Sequence, residues 1–219
     1  SGAPARAPDP AASVLSAAVV VAALGYFVDI YDLVLFSIVR VRSLTDLGLS
    51  GAALTSDGVF LLNMQMTGML LGGILWGVLA DRRGRLTVLF GSILLYSLAN
   101  LANGFVQTLP QYAFLRLIAG IGLAGELGAG ITLVSEVLPR ERRGYGTMIV
   151  AAVGVSGALL AYVVGERLGW RNAYFVGGGL GLALLALRVG VTESGMFARV
   201  VAAEEVAGAA GRTAAVGRG

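Results

Sequence analysis

Long apolar stretches, separated by short polar or glycine-containing connections, dominate the pattern of this chain. A helix needs about 20 apolar residues to cross the hydrocarbon core of a bilayer, and six stretches meet that requirement. They predict spanning helices over Val14–Val39, Val59–Ala80, Leu86–Val106, Tyr112–Leu138, Tyr145–Val164 and Ala173–Gly190. The pattern therefore predicts an all-α membrane protein in which residues 14–190 form a bundle of six transmembrane helices.

The two ends of the chain have a different pattern. Residues 1–13 are rich in Pro and Ala, which predicts a cytoplasmic tail. Residues 191–219 become rich in Ala and Gly, which predicts a short cytoplasmic surface helix that continues as a flexible tail.

The composition agrees with a membrane protein. Hydrophobic residues make up 57% of the chain and charged residues only 13%, and the mean hydropathy is +0.82. Because charged residues make up about a quarter of an ordinary soluble domain, a soluble globular protein is excluded. The 33 glycines suit spanning helices, where small residues let the backbones approach closely.

Three residue types are absent from the sequence: Cys, His and Lys. The chain therefore has no thiol, imidazole or amine to act as nucleophile, base or metal ligand, and we expect neither an enzyme nor a metal or cofactor site. The net charge of +3 is spread between apolar stretches rather than gathered on one basic face. We expect membrane lipid, and no nucleic acid, as a partner.

The arginines in the connections predict the orientation, because cytoplasmic loops carry an excess of positive charge. Six spans place both termini on one side, and that side holds eleven arginines against four on the other. The eleven are Arg6, Arg82, Arg83, Arg85, Arg140, Arg142, Arg143, Arg188, Arg199, Arg212 and Arg218, and the four are Arg40, Arg42, Arg167 and Arg171. We therefore expect an integral protein of a bacterial inner membrane with both termini in the cytoplasm.

A short internal repeat supports two three-helix halves within the bundle. Residues 81–85 read Asp-Arg-Arg-Gly-Arg, and residues 166–171 read Glu-Arg-Leu-Gly-Trp-Arg. The two runs follow the second and fifth predicted spans and so lie on opposite sides of the membrane. An inverted repeat of three helices produces that arrangement.

The connection after the second span carries a recognisable motif. Residues 77–85 read Gly-Val-Leu-Ala-Asp-Arg-Arg-Gly-Arg and resemble the loop between spans two and three of the major facilitator superfamily of transporters. The alternative interpretation is a generic positively charged cytoplasmic loop. Gly73 and Gly77 are expected to form a small-residue face for close helix packing, and Gly84 to permit a tight turn.

Other runs resemble the same superfamily. Arg116 with Gly120 and Gly122 resembles its span-four signature, and residues 136–144 and 192–197 resemble runs after its fourth and sixth spans. The resemblance covers nearly the whole chain and implies the amino-terminal six-helix half of a twelve-helix fold. It also implies a cytoplasmic gate, formed by Gly77, Asp81, Arg82, Gly84, Arg85, Glu136 and Arg143.

Four charged residues fall inside predicted spans: Asp29, Asp32, Arg116 and Glu126. Asp29 and Asp32 share one helix face. A similar pair of aspartates in span one is typical of aromatic-acid/proton symporters, and a related Tyr-Asp pair occurs in metabolite/proton symporters; this sequence resembles both branches. Charges at membrane depth cost about 2.5–3.5 kcal/mol each, so each needs a reason. We expect these four residues to line a substrate and proton pathway. One of the acids would carry the proton, and Arg116 would pair either with that acid or with an anionic substrate. The alternative for Arg116 is an ion pair or a snorkelling side chain that serves packing alone.

Trp76 and Trp170 fit a lipid-interface role and a packing role equally well.

Taken with the resemblance, these features predict half of a secondary active transporter. We expect proton-coupled symport of a small organic solute, an organic acid or a sugar-like compound, by alternating access against a second six-helix half. That half would be a separate chain, a second copy or a carboxy-terminal half. The alternative is a non-transporting membrane subunit that keeps this fold and docks to a larger complex.

Overall fold

The structure, a computed structural model, describes the backbone of residues 17–83, 85–137 and 143–190, and side chains over 20–83, 87–126 and 144–190. These residues form six helices and no strand. The helices are α1 (Ala17–Asp46), α2 (Ala53–Arg83), α3 (Arg85–Asn103), α4 (Leu109–Val137), α5 (Arg143–Leu168) and α6 (Trp170–Gly190). The prediction of an all-α chain with six helices is confirmed.

Within the described residues, four helices are long and apolar enough to cross a membrane. They are Val20–Asp46, Ala53–Arg83, Gly144–Leu168 and Trp170–Gly190. A shorter apolar helix covers Thr87–Asn103.

Several helices extend beyond the predicted spans. α1 continues past Val39 to Asp46, and α2 begins at Ala53 rather than at Val59. The predicted first span ends before Arg40 and Arg42, because hydropathy falls at charged residues. The backbone hydrogen bonds of α1 do not depend on hydropathy, so the helix continues past these arginines. The extra turns place charged side chains at the end of the bundle where α1, α3 and α5 finish, which we call the distal end.

Glycines set the closest helix contacts. A Cβ atom added to Gly68 of α2 would lie 2.1 Å from the carbonyl oxygen of Leu117 in α4. A Cβ atom added to Gly157 of α5 would lie 2.1 Å from the carbonyl oxygen of Phe27 in α1. α2 therefore packs on α4, and α5 packs on α1. The second helix of each three-helix repeat thus packs on the first helix of the other repeat, as expected for two inverted repeats.

The predicted packing role of Gly73 and Gly77 is wrong for the described part of the chain. A Cβ atom added to either glycine would meet nothing within 4 Å. The close contact of α2 is made instead by Gly68 and Gly72, whose added Cβ atoms would lie 2.1 and 2.5 Å from carbonyl oxygens of α4. Both pairs have the four-residue spacing of a packing motif, and only the rotation of α2 in the bundle selects between them.

The chain divides into two compact units, residues 1–185 and residues 186–219. Of the second unit the structure describes only the end of α6, up to Gly190. The predicted tails, residues 1–13 and 191–219, lie outside the described residues, and their boundaries stay predictions.

Candidate functional site

The first wall of the candidate site is one face of α1. Asp29, Asp32 and Phe36 follow a helical spacing that places them on one side, and they are 2%, 0% and 1% exposed. Polar residues in an apolar helix are stable at such depth only when they face other protein groups. The face of α1 that carries both acids is therefore an interior face of the bundle.

The opposite wall is α4, which carries Tyr112 and Arg116 one turn apart. Arg116 lies about two turns after the first residue of α4 and has no exposed surface. One turn further along, an added Cβ atom at Gly120 would lie 2.2 Å from the carbonyl oxygen of Gln65. This close approach brings α2 against α4 and so places the Gln65 side chain beside Arg116.

The guanidinium of Arg116 is held by groups from three other helices. Nη1 donates to Gln65 Oε1 at 3.1 Å, and Nη2 donates to Asn100 Oδ1 at 3.4 Å. Nη2 also lies 3.9 Å from Asp32 Oδ1 in an ion pair with both side chains fully buried. Asp32 of α1 therefore balances the charge of Arg116, and the amides of Gln65 and Asn100 orient its guanidinium.

Part of this polar cluster has unused hydrogen-bonding capacity. Within the described residues, Nε of Arg116 donates no hydrogen bond, and neither carboxylate oxygen of Asp32 accepts one. The amide nitrogens of Gln65 and Asn100 are likewise without acceptors there. Buried polar groups are normally paired, so this concentration of open donors and acceptors indicates a place for a polar ligand.

Aromatic rings enclose the guanidinium. The rings of Phe36 and Tyr174 each have their centroid 5.2 Å from Cζ of Arg116, within the range of cation–π attraction. Tyr112 packs edge-on against both rings, and its hydroxyl lies 2.6 Å from that of Tyr174. The hydroxyl of Tyr112 also donates to Ser43 Oγ at 3.4 Å. The cation therefore lies in a cage that is apolar except for the cluster described above.

The structure brings together two of the four predicted pathway residues, Asp32 and Arg116. Asp29 lies one turn from Asp32 on α1, toward the first residue of that helix, and is buried. Glu126 is also buried, but it lies about 15 Å along α4 from Arg116 at 1.5 Å per residue. Asp29 and Glu126 are therefore inside the bundle but belong to different levels of it.

The predicted gate is described only in part. Gly77, Asp81 and Arg82 are exposed. Gly84 lies outside the described residues, and the side chains of Arg85, Glu136 and Arg143 lie outside the described side chains. The gate stays a prediction.

Sequence reasoning missed Gln65, Asn100, Phe36, Tyr112 and Tyr174. The first two are uncharged amides within spans, and polar residues at membrane depth tend to face the bundle interior, which was a usable signal. The aromatic residues gave no such signal, because most aromatic side chains in spans serve packing.

The chain matches the family model of the Major Facilitator Superfamily over residues 13–209. The niacin transporter NiaP of Acinetobacter baylyi is 33% identical over 162 residues, which are 72% of this chain and 36% of that protein. The 3-(3-hydroxy-phenyl)propionate transporter of Escherichia coli is 36% identical over 135 residues, which are 60% of this chain and 34% of that protein.

A solved structure shares the fold. The xylose transporter XylE of E. coli, in a partially occluded inward-open conformation, superimposes with a TM-score of 0.70 at 22% identity. The match covers 80% of this chain and 49% of XylE. The chain therefore spans about half of that structure, and 36% and 34% of the two curated relatives.

Proposed function

The chain belongs to the major facilitator superfamily, and we propose that it is half of a secondary active transporter that binds a small organic anion at Arg116. The family is one of transporters rather than enzymes. The observation that carries the proposal is a guanidinium with no exposed surface, paired with Asp32 at 3.9 Å and still holding an open donor. Burying a cation at membrane depth costs free energy, and the binding of an anionic substrate is a function that would explain why the cation is there.

The substrate class that fits this site is an aromatic monocarboxylate. A carboxylate matches the planar donors of Arg116, and an aromatic ring packs well against Phe36 and Tyr174. Two relatives named for the transport of niacin and of 3-(3-hydroxy-phenyl)propionate support the same class. An uncharged, sugar-like solute is the weaker alternative, because it would not need a buried arginine.

Proton coupling would follow from competition for Arg116. A substrate carboxylate that takes the guanidinium leaves Asp32 buried without its cation, and a buried carboxylate in that situation favours the protonated form. One proton would then enter with each anion, which is symport. Asp29 and Glu126, buried on the same two helices, would continue the pathway toward the end of the bundle where α1 begins.

A complete transporter needs a second six-helix half. The chain covers 36% and 34% of the two curated relatives named above, and alternating access requires two bundles that rock around a central site. We place the protein in a bacterial inner membrane with both termini in the cytoplasm. The gate on the cytoplasmic side would be formed by Gly77, Asp81, Arg82, Gly84, Arg85, Glu136 and Arg143. A non-transporting subunit would have no use for the buried charges.

Binding of radiolabelled benzoate to the purified chain in lipid nanodiscs tests the substrate site. Arg116→Gln is expected to raise the Kd about ten-fold or more, because it removes the charge that pairs with the carboxylate. Arg167→Gln removes an exposed arginine of α5 and serves as the matched control. Equal affinity in wild type and Arg116→Gln would exclude this site.

Calorimetry in two buffers of different ionisation enthalpy tests the proton. Benzoate binding to wild type is expected to take up a proton, and binding to Asp32→Asn to take up none. An unchanged proton uptake in Asp32→Asn would assign the proton to another group.

The mass of the particle in detergent tests the need for a second half. A mass near two chains of 22.4 kDa, or one chain with a partner of similar size, supports it. A stable particle of one chain alone would favour the subunit alternative.

A further inference from the structure

A charged cluster ties α1 to α6 at the distal end. Asp46, the last residue of α1, pairs with Arg171 in the first turn of α6 and also accepts a hydrogen bond from Nε1 of Trp170 at 3.3 Å. The guanidinium of Arg171 lies 4.1 Å over the ring of Trp170 and donates to the carbonyl oxygen of Val106 at 3.2 Å. Gly169, with φ of 82°, makes the tight turn from α5 that brings Trp170 and Arg171 to this position.

An unbroken series of ring contacts leads from this cluster to the candidate site. Trp170 is 7% exposed and stacks on Tyr112 at 6.1 Å between ring centroids. It also packs edge-on against Tyr174 at 6.3 Å. The hydroxyls of Tyr112 and Tyr174 are hydrogen-bonded, and the ring of Tyr174 lies against Arg116. Only two side chains, Trp170 and Tyr174, therefore lie between an exposed ion pair and the buried guanidinium.

A second ion pair at the distal end has no such connection. Arg42 of α1 pairs with Glu166 of α5 at 2.6 Å, with side chains 51% and 37% exposed. The Asp46 and Arg171 side chains are similarly exposed, at 50% and 40%. Among the described residues, neither Arg42 nor Glu166 has a ring contact with the aromatic series. Surface ion pairs contribute little to stability, so the difference between the two pairs lies in what each one holds in place.

We propose that Asp46 and Arg171 are positioning residues that act on Arg116 through Trp170. The pair fixes the Trp170 ring from two sides, by the hydrogen bond to Asp46 and by the stacked guanidinium of Arg171. The fixed ring supports Tyr112 and Tyr174, and Tyr174 supports one side of the Arg116 guanidinium. When the pair opens, the support is lost and the affinity for an anion falls. The inference rests on the proposed function, in which Arg116 binds a carboxylate.

The distal cluster includes residues of the internal repeat. The run at residues 166–171 is the counterpart of the run at residues 81–85, which begins with the acid of the predicted gate. An ion-paired turn at the distal end would therefore serve the opposite side of the membrane from that gate. Its link to Arg116 gives the substrate site a means of sensing whether the distal end is closed.

The test uses the Trp76→Phe variant, in which Trp170 is the only tryptophan, because the chain has two. The probe is benzoate, added to the chain in lipid nanodiscs. Asp46→Ala is expected to raise the Kd for benzoate about five-fold, because the Tyr174 ring then supports the Arg116 guanidinium less well. Asp46→Glu keeps an acceptor and a charge and is expected to restore the affinity. Glu166→Ala, the matched control at the same end, is expected to leave it unchanged.

A second measurement needs no ligand. Arg116→Gln is expected to shift the emission of Trp170, because it changes the far end of the ring series. Tyr174→Phe is expected to shift the emission as well, because the Tyr174 ring contacts Trp170 directly. Glu166→Ala is expected to leave the emission unchanged. A structural role of Asp46 alone would lower thermal stability without coupling Trp170 to Arg116.

The two hypotheses fail in different ways. If the Trp76→Phe chain binds benzoate and Asp46→Ala binds it equally well, the positioning role is wrong and the proposed function stands. If that chain binds no benzoate, the proposed function is wrong, and the ligand-free emission still decides whether Arg116 and Trp170 are coupled. If Arg116→Gln leaves the emission of Trp170 unchanged, the inference is wrong in either case.

Discussion

Two arginines of this chain form ion pairs in opposite surroundings. Arg42 lies 2.6 Å from Glu166 at the distal end, where both side chains are well exposed. Arg116 lies 3.9 Å from Asp32 in the interior, where neither side chain is exposed. By distance alone the exposed pair is the stronger of the two.

When one partner of each pair is removed, solvation makes the loss of stability larger at the buried pair than at the exposed pair. At an exposed pair, water replaces the lost partner, and such pairs contribute about 0–1 kcal/mol. At a buried pair, the remaining charge keeps no partner and no water, and the loss is about 3–5 kcal/mol. The length of a contact therefore says less about its importance here than the exposure of the groups that make it.

The largest effect should come from breaking the buried pair on one side. Arg116→Met leaves Asp32 in the interior without its cation and is expected to lower the free energy of unfolding by about 3–5 kcal/mol at neutral pH. Unfolding of the purified chain in mixed micelles, followed by circular dichroism, measures this loss.

The double variant Arg116→Met with Asp32→Leu is the control. It removes both charges and is expected to recover much of the stability, because an apolar pair of similar volume needs no solvation. Equal losses in the single and double variants would mean that packing around Arg116, rather than its charge, dominates.

A smaller effect should come from moving a neutral partner away. Gly120→Ala places a Cβ atom 2.2 Å from the carbonyl oxygen of Gln65, so α2 must shift away from α4. Overpacking of this kind costs about 1–3 kcal/mol, and the shift also lengthens the bond from Arg116 to Gln65. The same unfolding assay and benzoate binding should both detect it.

Gly73→Ala on the exposed side of α2 is the matched control for Gly120→Ala. An added Cβ atom there meets nothing within 4 Å of the described residues, and alanine favours helix by about 1 kcal/mol over glycine. A destabilising Gly73→Ala would show that another protein surface covers this side of α2.

The sequence predicted the members of the buried pair, but it did not say which acid pairs with Arg116. Hydropathy located six helices, and the rule that charges within spans face the interior singled out four residues: Asp29, Asp32, Arg116 and Glu126. All four are buried, as that rule requires.

What the sequence could not predict is which helices meet. Helical spacing places Asp32 on a face of α1, but it does not say that Gln65 of α2 and Tyr174 of α6 converge on the same guanidinium. The choice between Gly68 with Gly72 and Gly73 with Gly77 depends likewise on helix rotation, which both patterns fit. The sequence allowed a lipid-interface role and a packing role for Trp170 equally. Its side chain is only 7% exposed, which indicates the packing role. Tertiary contacts settle these questions, and no local pattern encodes them.

The smallest effect should come from the exposed pair. Glu166→Gln leaves Arg42 with water and with its hydrogen bond to the carbonyl oxygen of Gly165, so the free energy of unfolding should fall by only about 0–1 kcal/mol. High salt should abolish even this difference, because it screens exposed charges and leaves buried ones largely unaffected. The unfolding assay at low and high salt measures both. A loss as large as that of Arg116→Met, and insensitive to salt, would mean that the distal end is covered in the membrane. Both ion pairs would then be shielded from water, and solvation would not explain a difference between Arg42 and Arg116.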